Sequence, residues 1–94
     1  MMIKYSPQLS DMKIEYVFEG EKIIATFNGE SDTFDFSQFA DGHADNIETT
    51  LPFNPIISAK RVDGVLYVEL LNFIGKDATE DEKFPKWQEV GSGG

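Results

Sequence analysis

The 94-residue chain contains no cysteine, so disulfide staples, thiolate metal sites and thiol nucleophiles are all excluded. That absence also fits a reducing, intracellular setting. No stretch approaches the roughly 20 apolar residues of a membrane span, and "MMIKYSPQLSD" at the N-terminus lacks the apolar run of a signal peptide. A soluble protein is expected. Basic residues are scarce: 8 Lys and Arg stand against 17 Asp and Glu, a net charge of −9 that repels nucleic-acid phosphates and anionic lipid. Direct binding to DNA, RNA or a membrane surface is therefore not expected. There is a single histidine, and neither a G-x-S-x-G elbow nor a Walker-type glycine loop occurs, so no catalytic residue and no enzyme activity is expected.

What is present is apolar and β-patterned. Hydrophobic residues make up 40% of the chain and aromatics 13%, enough for one packed core in a single domain over residues 1–90. The final "GSGG", residues 91–94, reads as a flexible linker of engineered origin lying outside the fold.

Residues 13–36, "KIEYVFEGEKIIATFNGESDTFDF", alternate apolar and polar across two glycine-bearing turns. Gly20-Glu21 suits a two-residue type II′ turn that sets Glu19 opposite Lys22, Phe18 opposite Ile23, Tyr16 opposite Ala25 and Ile14 opposite Phe27. Asn28-Gly29 marks the next turn. A two-residue loop there sets Phe34 opposite Ile23, and a four-residue loop sets it opposite Ala25; in both cases Phe34 and Phe36 join the same oily face. A three-stranded antiparallel meander is expected.

Asp63-Gly64 between Val62 and Val65 signals a second hairpin, with Lys60 opposite Tyr67, Ser58 opposite Glu69 and Ile56 opposite Leu71. That register puts Ile57, Ala59, Leu66, Val68 and Leu70 on the core face, with Arg61 at its rim. Ile56, Val65, Tyr67 and Leu71 on the other face suggest that it too is partly covered. Thr79 and Glu82 have capping-box spacing, which starts a short helix that Pro85 stops. The expected fold is mainly β: a meander and a hairpin forming a small sandwich or curled sheet of about five strands, with a short C-terminal helical turn.

Two segments stand apart as candidate contact sites. Residues 31–50 carry Asp32, Asp35, Asp41, Asp45 and Glu48 with no Lys or Arg. These form either a solvated loop or an electronegative patch for a basic partner. Asp41, His43, Asp45 and Glu48 do not make a calcium loop: counting from Asp41, position 3 is His43, position 6 is Asn46 where glycine is needed, and position 12 is Pro52. Neither a metal nor any other cofactor is expected. Near the C-terminus, Phe84 and Trp87 flank Pro85, so the tail either folds back on its own sheet or docks both rings on a partner.

The segments "IKYSPQ", "KIEYVFEGEKI", "DTFDFS", "ETTLP", "PIISAKRVDGVLYVELLNFI" and "FPKWQEV" together resemble small uncharacterised proteins of Gram-positive phages and prophages that are encoded near the tail genes. The likeness covers nearly the whole chain up to Val90, and none of its pieces carries an assigned chemistry. It implies a viral origin and a structural or assembly role in the tail region, partnered by a tail component, in the bacterial host cytoplasm with or without incorporation into the virion. Free strand edges separately invite strand addition or self-association. The charge leaves one alternative open: an acidic inhibitor whose carboxylates imitate DNA phosphates and occupy a basic host protein.

Overall fold

The computed structural model describes residues 1–44 and 47–90. Strands β1 (Met2–Leu9), β2 (Ile14–Glu19), β3 (Lys22–Phe27), β4 (Glu30–Asp35), β5 (Gly42–His43), β6 (Ile56–Val62) and β7 (Val65–Ile74) are followed by the one-turn helix α1 (Glu80–Lys83) and strand β8 (Gln88–Glu89). They form a three-stranded sheet, β2-β3-β4, and a five-stranded sheet, β5-β6-β7-β1-β8. The mainly-β class with a short helical turn is as expected. All five anticipated strands are there, and β1, β5 and β8 join them.

The meander has the register that its turn residues specify. Glu19 pairs with Lys22 and Ile14 with Phe27, while the Asn28-Gly29 turn takes the two-residue form and sets Phe34 opposite Ile23. Both turns need positive φ, supplied by Gly20 at 60° in the first and by Asn28 at 55° with Gly29 at 79° in the second. One face of this sheet buries Ile14, Ile23, Ala25, Phe27 and Phe34 against Ile3, Ala59, Leu66, Val68 and Leu70 of the other sheet, with Tyr16 and Phe18 half-buried at its margin. At one end of the sandwich Phe53 meets Phe27 and Phe73 edge-on, at ring-centroid distances of 4.7 and 5.7 Å.

The second hairpin corrects one expectation. Lys60 pairs with Tyr67 and Ser58 with Glu69, but Ile56 pairs with Leu70 and not with Leu71, because the ladder slips between Ile56 and Ser58. The slip is a β-bulge at Ile57, which reverses the side-chain alternation upstream of it. Ile56 is consequently buried at 5% exposure, and Ile57, expected in the core, is 48% exposed. Asn54 and Pro55 hold the irregular end: the Ile56 amide donates to Asn54 Oδ1, and the Leu71 amide donates to the Pro55 carbonyl at 2.8 Å.

The N-terminal segment, which carries no turn signal of its own, lies parallel to β7, with Ile3 beside Val68 and Tyr5 beside Leu70. It therefore belongs to the five-stranded sheet and not to the meander that follows it. Thr79 caps α1 through the anticipated capping box, Thr79 Oγ1 accepting from the Glu82 amide while Glu82 reaches back to the Thr79 amide. Among the described residues no helix is long and apolar enough to cross a membrane.

Candidate interaction site

The acid-rich segment is a set of internal tethers more than a row of free carboxylates. Asp32 lies on the core-facing side of β4, where its Oδ2 accepts from the Thr49 hydroxyl and the Thr50 amide, both at 2.9 Å, and its Oδ1 accepts from the Thr33 amide. These bonds fasten the long connection between β4 and β6 to the small sheet. Asp35 Oδ1 accepts from the Ser37 amide, turning the chain out of β4, and Asp41 Oδ1 accepts from the Gly64 amide at the tip of the β6–β7 hairpin. A single turn follows β4, closed by the Phe39 amide on the Phe36 carbonyl at 3.0 Å. His43 lies exposed on β5 opposite Lys60, and Glu48 is exposed. Asp45 lies outside the described residues, as do residues 91–94. Among the described residues, no three His, Asp or Glu side chains converge closely enough to hold a metal ion.

Hydrogen bonding holds the Asp32 carboxyl below the ordinary carboxylate value: the Thr50 amide contributes most, partial burial opposes it, and Thr49 and Thr33 add to the lowering. Glu21 is lowered as well, chiefly by its hydrogen bond from Arg61. Both groups therefore bind fewer protons when folded than when unfolded. Their stabilising contribution is complete above the unfolded carboxylate value, at pH higher than about 5, and is lost as the pH falls through the lowered folded values. We expect the urea midpoint of Asp32→Asn to fall less steeply than that of the wild type between about pH 5 and pH 3. Comparing the two chains cancels the general relief of self-repulsion that acid brings to a −9 protein, and equal slopes would contradict the role given to Asp32.

The tail partly folds back. Gln88–Glu89 pairs with Met2 and Ile3, and the Val90 amide donates to the Met1 carbonyl at 2.9 Å. Trp87 stands edge-on to Tyr67, 5.5 Å between centroids, and so covers the outer face of the large sheet at that residue, while Ile57 and Val65 stay exposed. Phe84 does not share in this: it is 73% exposed beside Pro85.

The meander expected from the sequence leaves its first strand at an edge, and the open edge of β2 is the feature with the clearest contact geometry. Among the described residues this strand pairs only with β3. The Phe36 amide donates to the Glu21 carbonyl, so the odd-numbered residues of β3 bond toward β4 and its even-numbered residues bond toward β2. On β2 the bonded partners are then Glu15, Val17 and Glu19. The N–H and C=O groups of Ile14, Tyr16 and Phe18 point away from the sheet and meet no backbone partner among the described residues. Behind them lies a row of half-buried rings: Tyr5 and Tyr16 are 6.1 Å apart, and Tyr16 stacks on Phe18 at 6.2 Å. The Tyr16 hydroxyl donates to the Leu71 carbonyl across the sandwich, and burial, followed by the neighbouring Tyr5, pushes its pKa up so that it stays a donor. The available signal was the Gly20-Glu21 turn, which sets which residues face outward.

The chain matches no protein-family model, no curated protein and no solved structure. A surface depression of about 480 Å³ lined by Asp11, Met12, Lys13, Glu15, Phe27 and Asn28 lies beside the start of β2.

Proposed function

We propose that this chain is a non-enzymatic phage or prophage protein with a structural or assembly role in the tail region, exercised through protein–protein contacts. The viral and tail parts of this reading rest on the resemblance carried by the segments quoted above. The contact part rests on one observation, the outward-facing backbone groups of Ile14, Tyr16 and Phe18 on an edge strand backed by half-buried aromatics. An open edge lets another strand add by main-chain hydrogen bonds, with side-chain pockets setting the choice of partner. The exposed Phe84 offers a second apolar foothold on the far side of the large sheet. The DNA-imitating alternative draws on the net charge of −9 and the acid-only stretch 31–50, in which Asp32, Asp35 and Asp41 already accept a hydrogen bond from the chain's own backbone while Glu48 is exposed.

The test is capture with this protein from phage-producing and uninfected lysates, washed at low and high salt, with mass spectrometry of what remains. Tail proteins retained at high salt are the expected result, since edge pairing and aromatic contacts are weakly screened. A basic host DNA-binding protein that high salt strips away, with no tail protein retained, would overturn the reading in favour of the acidic inhibitor.

A further inference from the structure

We infer that the occupant of the β2 edge is the β2 edge of a second copy, so that two small sheets join into one continuous antiparallel sheet across a two-fold axis. Other edges are blunted. On β4 the Thr33 amide is already taken by Asp32 Oδ1, and Asp32 ties the loop at Thr49 and Thr50 beside the strand. On β1 the segment β8 covers Met2 and Ile3, and Pro7 further along has no N–H to offer. The outermost strands of the large sheet, β5 and β8, are two residues each. β2 has six residues, no proline and no bulge, and its outer face carries Val17 at 53% exposure.

The side chains of β2 select one register. Antiparallel self-pairing must keep the core-facing residues on one side, so only registers centred on a residue are allowed. Centring on Val17 sets Glu15 directly against Glu19 of the second copy, and centring on Glu15 sets two copies of that carboxylate against each other. Both bring like charges together at the close, non-hydrogen-bonded positions. Centring on Tyr16 avoids this. It sets Ile14 against Phe18, Tyr16 against Tyr16, Val17 against Glu15, and Lys13 against Glu19. The last pair occurs twice by symmetry, and each brings opposite charges together. In this register Ile14, Tyr16 and Phe18 are also the residues whose backbone groups face outward, giving about six interchain hydrogen bonds. The rings of Tyr16 and Phe18, half-exposed in one copy, then continue into a shared core.

The partner class rests on the protein-contact reading but not on the tail reading. A chain that self-associates and captures no tail protein fails only the latter, and a monomer that captures tail proteins fails only the former. Sedimentation equilibrium of the full chain from micromolar to millimolar concentration tests the proposal, with circular dichroism confirming that each variant is folded. The wild type is expected to dimerise from its 10.6 kDa chain. Lys13→Glu and Glu19→Lys, each turning two attractions into repulsions, are expected to weaken the dimer at least about tenfold. The double reversal Lys13→Glu/Glu19→Lys is expected to restore it. A wild type that is monomeric throughout, a dimer indifferent to either single reversal, or a double reversal that restores nothing would each overturn the proposal.

Discussion

Replacing Arg61 with alanine is expected to cost about 2–4 kcal/mol, which for a domain of this size lowers the melting temperature by roughly 10 °C or more. The guanidinium has five N–H donors, and here each finds an acceptor. Nε donates to the Phe39 carbonyl at 2.6 Å, and one terminal nitrogen donates to Glu21 Oε2 at 2.8 Å and to the Gly64 carbonyl at 3.0 Å. The other donates to Glu21 Oε1 at 3.0 Å and to the Phe36 carbonyl at 2.9 Å. One side chain from β6 thus clasps the β2–β3 turn, the chain leaving β4, and its own hairpin tip. The Arg61 side chain is 11% exposed, so its loss strands acceptors that water reaches poorly. Lysine brings three donors and no planar fork, and Arg61→Lys is expected to recover only a minor part of the stability. Urea unfolding of both variants measures this; a cost below about 1 kcal/mol for Arg61→Ala would place the clasp among ordinary surface ion pairs.

The second large effect separates neighbours of identical chemistry. Ile56→Ala is expected to destabilise the protein by about 2–4 kcal/mol, because it removes a buried side chain and leaves a cavity. Ile57→Ala, on an exposed residue at the bulge, is expected to change stability by no more than about 0.5 kcal/mol. The same unfolding measurement decides between the bulged ladder and the regular one, which predicts the reverse order.

That pair of isoleucines shows where the sequence was legible and where it was not. Turn chemistry is local: Gly20-Glu21 and Asp63-Gly64 each specify a loop length, and the pairing beside each turn follows from it. At "NPIIS" two adjacent isoleucines satisfy either alternation equally well. The choice falls to Asn54 Oδ1 and the Pro55 carbonyl, which take up the amides of Ile56 and Leu71. Strand β1 escaped notice because its partner β7 begins more than fifty residues later and runs parallel to it, so no turn announces the pairing. Glu21 and Arg61 are likewise separated by 40 residues and read individually as a turn residue and a rim residue. As for the candidate site, the acidic residues stood out by charge, yet charge does not reveal that Asp32, Asp35 and Asp41 serve nearby amides. The open edge of β2 is legible in the meander that the two glycine-bearing turns specify, whose first strand has one neighbour; what the sequence does not show is that β1 leaves that edge free by joining the other sheet.

Strand β2 presents an open, pairing-competent edge. Amide hydrogen exchange resolved residue by residue, in dilute and in concentrated protein, addresses it directly. Glu15, Val17 and Glu19, bonded to β3, are expected to exchange slowly at both concentrations. Ile14, Tyr16 and Phe18 are expected to exchange fast when dilute and slowly when concentrated. If those three amides are protected in dilute protein the edge is not open, and if they exchange fast at every concentration it is open but unused by a second copy; either result would contradict the account.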